Sequence, residues 1–186
     1  MKHPVLLLIP ILMISDYLLT VAGARLRGGA YSNHFTNEHY ELNPLWQNAI
    51  AQLRWFNLRH LAVTLLVFLI LIGMWEILQP NDPMLDYFVG FFIGVQGTIN
   101  GRHLGNLATF MYIKRHPAQI MGNVRMDYVL TLWLSVFQFC AVLVPLSLIA
   151  AYFPRPILIG SVVGVITLIL VHLIWIARYH RKMHLG

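Results

Sequence analysis

Long apolar segments, each close to the length of a membrane crossing, dominate this chain. A transmembrane helix needs roughly 20 predominantly apolar residues. Five segments approach that length, and they cover residues 5–23, 61–78, 85–112, 128–153 and 157–177. Charged residues make up only 11% of the chain, against roughly 25% in a soluble domain. The sequence therefore predicts an all-α integral membrane protein with five transmembrane helices, forming a single domain over residues 1–186.

The distribution of Lys and Arg predicts the orientation, because cytoplasmic loops are enriched in both. With the N-terminus outside and the C-terminus cytoplasmic, ten of the 13 basic residues lie inside, while Lys2 and Arg155 lie outside. The alternative is a cleaved signal peptide ending near residues 22–24. Cleavage would leave four spans and reverse the charge bias, and Asp16 interrupts the apolar stretch that a signal peptide requires.

Composition also narrows the classes of function. The net charge of +6 would suit nucleic acid, but the basic residues lie at the ends of apolar segments, so we expect no nucleic-acid partner. Cys140 is the single cysteine and lies inside a predicted span, which excludes an intrachain disulfide and a CxxC metal site.

The longest connection, residues 24–60, contains a predicted amphipathic helix. Asn43 and Pro44 suit the N-cap and first position of a helix. Apolar residues then recur at helical spacing, namely Leu42, Trp46, Ala49, Ile50, Leu53 and Phe56. We expect an interfacial helix on the inner leaflet. The alternative is a short helix packed on the cytoplasmic face of the bundle.

The same connection holds a weak metal-binding pattern. His34 and Glu38 are four residues apart, so on a helix they share a face and can serve a transition metal. His39 and Glu41 would point elsewhere. A solvated polar loop is the alternative, and no other cofactor is indicated.

The third segment is unusual because it carries polar residues at membrane depth, where ionisable groups are costly and tend to mark functional sites. These residues are Gln96, Asn100, Arg102, His103 and Asn106. On a helix, Gln96, Asn100 and His103 fall within about 60° of one another, with Asn106 beside them. The pattern predicts a functional polar site. Interhelical hydrogen bonding is the alternative, and it accounts for the amides better than for Arg102.

Glycines line the opposite side of this segment at four-residue spacing, as in helices that approach each other closely. They are Gly90, Gly94, Gly97, Gly101 and Gly105, and the fifth segment adds Gly160 and Gly164. We therefore expect the third helix to lie at the centre of the bundle, packed on both faces, and we expect a homo-oligomer or a partner within a larger membrane complex.

Charge at membrane depth requires compensation. Asp16 and Arg102 lie at comparable distances from the inner ends of their segments, so Asp16 is expected to pair with Arg102 or His103 in the inner half of the bilayer. Three Arg-His pairs fall in the cytoplasmic half, namely Arg59-His60, Arg102-His103 and Arg115-His116. They suit an anionic lipid head group or a soluble anion, with ordinary inner-surface charge as the alternative for Arg59, His60, Arg115 and His116.

Asp16-x3-Thr20, followed by Glu41-Leu42-Asn43-Pro44, resembles a pattern in uncharacterised small polytopic membrane domains of prokaryotes. The resemblance covers about the first quarter of the chain. It implies a helical fold in the cytoplasmic membrane and supplies no activity.

Three functions compete. The first is transport or permeation of an ion or anionic substrate, with Arg102 attracting the anion and His103 relaying a proton. The second is a non-catalytic subunit or assembly factor of a membrane complex. The third is a lipid-modifying enzyme that uses residues 34–41 near the inner surface.

Overall fold

The protein is described from a computed structural model, which defines residues 5–27, 35–37, 41–43, 45–78, 82–119 and 121–184. The elements are α1 (Val5–Arg27), β1 (Phe35–Asn37), α2 (Gln47–Ala51), α3 (Leu58–Ile77), α4 (Met84–Arg115), a 3₁₀ turn (Pro117–Gln119), β2 (Val124–Met126), α5 (Tyr128–Tyr152) and α6 (Pro156–His184). The described part of the chain is therefore overwhelmingly helical, as the sequence predicts.

Four of these helices, α1, α3, α5 and α6, are long and apolar enough to cross a membrane. Several apolar helices of this length are typical of a multi-pass membrane protein. The remaining predicted span, residues 85–112, corresponds to α4, which is 32 residues long but falls outside that apolar set because its polar residues lower its mean hydropathy. Helix α6 continues beyond the predicted end of its span, as far as His184.

Helix α4 lies between α1 and α6 and runs parallel to α1. At one end, Leu85 and Val89 share a buried apolar cluster with Leu6 and Ile9. At the other end, His103 contacts residues of the second half of α1. The two helices are thus in register over about four turns, which brings the polar residues of α4 to the depth of Asp16.

Glycines allow α4 and α6 to pack backbone against backbone. A Cβ atom at Gly90 or Gly94 would collide with the main chain of Ile157 or Ser161. Gly160 and Gly164 on α6 are equally close to the α4 backbone at Tyr87 and Phe91. The backbones of α4 and α6 therefore pack directly against each other at the four interlocked glycines, Gly90, Gly94, Gly160 and Gly164. A Cβ at Gly97, Gly101 or Gly105 would meet nothing within 4 Å, so this part of the stripe is open.

The long amphipathic helix predicted after residue 43 is replaced by the five-residue helix α2. Asn43 forms a turn before α2, since its Oδ1 accepts from the Leu45 amide at 3.0 Å. After α2 the chain reverses at Leu53, whose φ of 52° is left-handed. Ile50 is buried in a cluster with Tyr17 and Val21 of α1, so this segment packs on the bundle.

Side chains of α1 hold the reversal in place. The Tyr17 hydroxyl donates to the Arg54 carbonyl at 2.7 Å, and Arg25 donates to the Leu53 carbonyl at 3.2 Å. The guanidinium of Arg25 also lies 4.5 Å from the centre of the Trp55 ring. These contacts fix the connection against α1 and explain why a longer helix cannot continue there.

The two strands were not expected from the sequence. They pair in parallel with Phe35 opposite Val124 and Asn37 opposite Met126. Three-residue strands carry too short a pattern to be recognised. Their pairing ties the α1–α3 connection to the segment that precedes α5.

The interlocked glycines give a test of the α4–α6 packing. We expect Gly94→Ala to lower the free energy of unfolding by about 1–3 kcal/mol, because the added methyl overpacks the helix contact. The measurement is thermal or denaturant unfolding in detergent. Gly73→Ala is the matched control, because its Cβ meets nothing within 4 Å and alanine favours the helix. Equal stability of Gly94→Ala and the control would contradict this packing.

Candidate functional site

A cavity of about 400 Å³ lies between α1, α4 and α6, beside the first turn of α3. The segment from Glu41 to Ile50 forms one of its walls. Several ionisable or amide side chains line it, namely Asp16, Glu41, His60, Gln96, Arg102, His103 and His172. Aromatic and aliphatic side chains supply the remaining walls. The cavity thus gathers titratable groups from five separate parts of the chain.

The best-defined contact in the cavity joins α1 to α4. His103 Nε2 lies 3.2 Å from the Asp16 carboxylate and 3.1 Å from the Thr20 hydroxyl. That hydroxyl donates its single proton to the Asp16 carbonyl at 2.8 Å, so it accepts from His103. Both neighbours of Nε2 are then acceptors, and this nitrogen carries the proton.

Because Nε2 carries the proton, the other ring nitrogen of His103, Nδ1, can act as an acceptor. Nδ1 is buried and has no hydrogen-bond partner among the described residues. In a neutral imidazole with its proton on Nε2, Nδ1 holds a lone pair that accepts a proton or a hydrogen bond. Asp16 accepts a hydrogen bond from Nε2 and so orients the ring. The Asp16–His103 pair can therefore accept and return a proton.

Arg102 reaches from α4 toward α5. Its Nη1 donates to the Ser135 hydroxyl at 2.8 Å, and its guanidinium carbon lies 5.8 Å from the centre of the Phe139 ring. Arg102 lines the cavity alongside Phe139. Its charge is thus held at the cavity wall by a hydroxyl and an aromatic ring, where it favours anions.

The predicted amides separate into three roles. Asn100 donates to the Leu12 carbonyl at 2.9 Å and to the Gln96 carbonyl at 2.7 Å, which ties α4 to α1. Gln96 lines the cavity, and its Oε1 is buried without a partner among the described residues. Asn106 lies outside the cavity and lines a separate groove between α4 and α5.

Glu41 enters the cavity from the α1–α3 connection. Burial raises the pKa of its carboxyl group, although the Asn43 amide, which donates to Oε1 at 2.7 Å, and the charge of His103 oppose the change. A raised pKa favours the protonated form, which donates a hydrogen bond. Glu41 thereby adds a second carboxyl group to the cavity of the Asp16–His103 pair.

Two further histidines belong to the walls. The His60 ring lies 4.8 Å from the centre of Tyr17 and 5.3 Å from that of Trp46. The His172 ring lies 5.0 Å from the Phe139 ring, and its Nδ1 is 2.9 Å from the Leu168 carbonyl. Both rings are buried, so they shape the cavity through packing.

The three Arg-His pairs do not converge on one anion site. Arg59 is exposed while its neighbour His60 faces the cavity. Arg115 and His116 are also exposed, and the His116 ring stacks on Tyr112 at 4.4 Å. Neither lines the cavity. Adjacent residues on a helix point about 100° apart, which separates Arg59 from His60, and Arg102-His103 is the one pair of the three whose two members both line the cavity.

The predicted metal ligands His34 and Glu38 lie outside the described residues. Within the described ranges, no group of three or more His, Cys, Asp or Glu side chains is arranged to hold a metal ion.

Sequence reasoning missed Glu41 and His172 as residues of the polar site. Glu41 was expected to point away from the His34–Glu38 pair. One signal was available for Glu41, because it belongs to the Glu41-Leu42-Asn43-Pro44 pattern. Leu42 is 3% exposed and packs against Leu132 and Val136 of α5, and this contact directs the chain into the bundle.

No protein-family model matches the chain, and neither a curated protein nor a solved structure matches it at a significant level.

The raised pKa of Glu41 predicts a pH dependence of stability. A carboxyl group whose folded pKa exceeds its unfolded value stabilises the fold fully below the unfolded value, and this contribution disappears as pH rises through the folded pKa. The thermal midpoint should therefore fall as pH rises from 4.5, the unperturbed value of Glu41. Glu41→Gln should flatten that part of the profile, because glutamine mimics the protonated acid.

The matched control is Glu76→Gln, which alters an exposed carboxyl group near the far end of α3. Its profile should follow that of the wild type. A wild-type slope that survives in Glu41→Gln would assign the pH dependence to another group.

Proposed function

We propose that this protein binds a small anionic substrate in the cavity and moves it across the membrane together with a proton. The observation that carries the proposal is the contact of Asp16 with the buried His103, whose Nδ1 is an available acceptor, in a cavity that Arg102 also lines. Buried ionisable groups in membrane helices are characteristic of ion pathways and proton relays.

Each residue has a stated role in this proposal. Arg102 attracts the anion, while the Ser135 hydroxyl fixes its guanidinium. His103 accepts a proton at Nδ1, and Asp16 stabilises the resulting imidazolium. Gln96, whose Oε1 lacks a partner among the described residues, lines the path as an acceptor. Protonation of Glu41, which belongs to the α1–α3 connection, depends on whether an anion occupies the cavity.

The proposed topology has five spans, with the N-terminus outside and α4 as the third. Support comes from the parallel packing of α4 against α1, since a first and a third span cross the membrane in the same direction. A 32-residue helix is about 48 Å long, more than the roughly 30 Å of hydrocarbon. Of its polar side chains, Gln96, Arg102 and His103 line the cavity, and Asn100 bonds to α1.

Cysteine labelling tests this topology. We expect Met84→Cys and Met121→Cys, in a Cys140→Ala background, to be labelled from opposite sides of the membrane, because Met84 begins α4 and Met121 lies six residues beyond its last residue, Arg115. Both methionines are exposed. An impermeant maleimide should label position 84 in intact cells and position 121 only after permeabilisation. Labelling of both positions from one side would exclude α4 as a span.

Transport is tested in proteoliposomes of phosphatidylcholine that contain a pH-sensitive dye. An inward proton gradient is applied with chloride, inorganic phosphate or succinate outside. The wild type should acidify the lumen faster than empty vesicles with at least one of these anions. Arg102→Gln and His103→Ala should each lower the rate at least about tenfold, equivalent to ~1.4 kcal/mol in the barrier.

The control is Arg155→Gln, which removes one exposed positive charge between α5 and α6, away from the cavity. It should retain the wild-type rate, and each variant must elute from size exclusion as the wild type does. Wild-type flux with none of the three anions, or full flux in Arg102→Gln, would refute the proposal.

The same geometry supports a second candidate, a lipid-modifying enzyme. An aspartate that orients a histidine, whose other nitrogen is an acceptor, is also the arrangement of a general base. Hydrolysis of a defined phospholipid by the wild type, lost in His103→Ala, would favour this candidate. Proton-coupled flux without turnover would favour transport.

A further inference from the structure

A groove of about 630 Å³ lies between α4, α5 and α6, on the far side of Arg102 from the cavity. Its floor includes the open glycines Gly97, Gly101 and Gly105, whose missing side chains create the space. Arg102 and Phe139 line both the groove and the cavity. The groove is therefore a second compartment that shares one wall with the proposed transport site.

The length of the groove suits an extended chain. From Gly94 to Thr109 it follows α4 for about 22 Å, at 1.5 Å per residue. An acyl chain that lies along α4 can fill this length beside the open glycines.

Polarity changes along the groove as it does along a lipid. Toward the Arg115 end of α4 it is lined by polar side chains, namely Arg102, Asn106, Thr109 and Gln138. Toward the Met84 end it is lined by Ile93, Val142 and Leu146 together with glycine and two hydroxyl side chains, Thr98 and Ser161, of which Ser161 donates to the Gly90 carbonyl. The side-chain amides of Asn106 and Gln138 make no hydrogen bond to the described residues, so they are available to a head group.

Depth and charge fit the same ligand. His103 is level with Thr20, and Arg25 lies five residues farther along α1, about 7.5 Å, at the basic end of that helix. The polar part of the groove is therefore within one to two turns of the membrane surface. Arg102 is the only ionisable residue among those described along the groove, and its charge complements an anion.

We propose that this groove binds one anionic phospholipid of the leaflet on the Arg115 side. The head group lies against Arg102, Asn106 and Gln138, and one acyl chain follows the open glycines toward Leu146. The lipid site is separate from the transport proposal, because it needs neither a proton gradient nor a substrate in the cavity.

Native mass spectrometry with defined lipids tests the site. The purified protein is given equal amounts of phosphatidylglycerol and phosphatidylcholine with identical acyl chains. The wild type should retain one phosphatidylglycerol with at least about tenfold preference. Gly101→Leu should reduce that retention at least about tenfold, because the side chain fills the groove. Arg102→Gln should bind both lipids equally.

Gly73→Leu is the matched control and should retain lipid as the wild type does, since Gly73 also has open space at its Cβ but lies on α3. A phosphatidylglycerol with a photoreactive acyl chain supplies a measurement on the unmodified protein, and its crosslinks should map to Val142 or Leu146. That result keeps the test decisive if Gly101→Leu fails to fold.

Three results would overturn the lipid site. They are equal retention of the two lipids by the wild type, crosslinks confined to other helices, and a Gly101→Leu variant that keeps its lipid but loses a dimer or a bound protein. The last would assign the groove to a second copy or to a subunit partner. The flux assay uses vesicles of phosphatidylcholine, so it does not depend on binding of an anionic lipid. The transport proposal can therefore fail while the lipid site is confirmed, and the lipid site can fail while transport is confirmed.

Discussion

The cost of polar side chains at membrane depth is the constraint on which this structure depends. Helix α4 is stable between apolar helices only because its polar residues find partners within the protein. His103 meets Asp16 and Thr20, and Asn100 donates to the Leu12 carbonyl. These contacts fix the depth and rotation of α4 relative to α1. The cavity lies where some buried polar atoms, among them Gln96 Oε1 and His103 Nδ1, have no hydrogen-bond partner among the described residues.

The packing of α4 against α6 provides the complementary constraint. Gly90 and Gly94 interlock with Gly160 and Gly164, so the two backbones touch in one half of the pair. The α4 glycines after residue 94 contact no neighbouring helix in the described part of the chain, and the space beside them forms a groove next to α5. The loss of contact there is what allows the long Arg102 side chain to extend to Ser135.

The sequence predicted the four long apolar helices α1, α3, α5 and α6 because a membrane imposes a minimum apolar length. It also predicted that Asp16 and His103 share a depth, since position along a span fixes depth. It could not place Glu41, whose position depends on how the α1–α3 connection folds back onto the bundle. Nor could it divide the glycine stripe into packed and open halves, because the angle between two helices is set by all their contacts together.

The position of Arg102 makes the two proposed ligands interdependent. One guanidinium lines both the cavity and the groove, so a lipid phosphate on one side reduces the attraction for an anion on the other. Such coupling is reciprocal: if the lipid weakens anion binding by some factor, the anion weakens lipid binding by the same factor. Phe139 lines both the cavity and the groove, and the Arg102 guanidinium lies over its ring. The ring therefore does not shield the charge of Arg102 completely from either side. Under the two proposals, a membrane rich in anionic lipid would lower the affinity of the cavity for its anion, which also favours release of the anion.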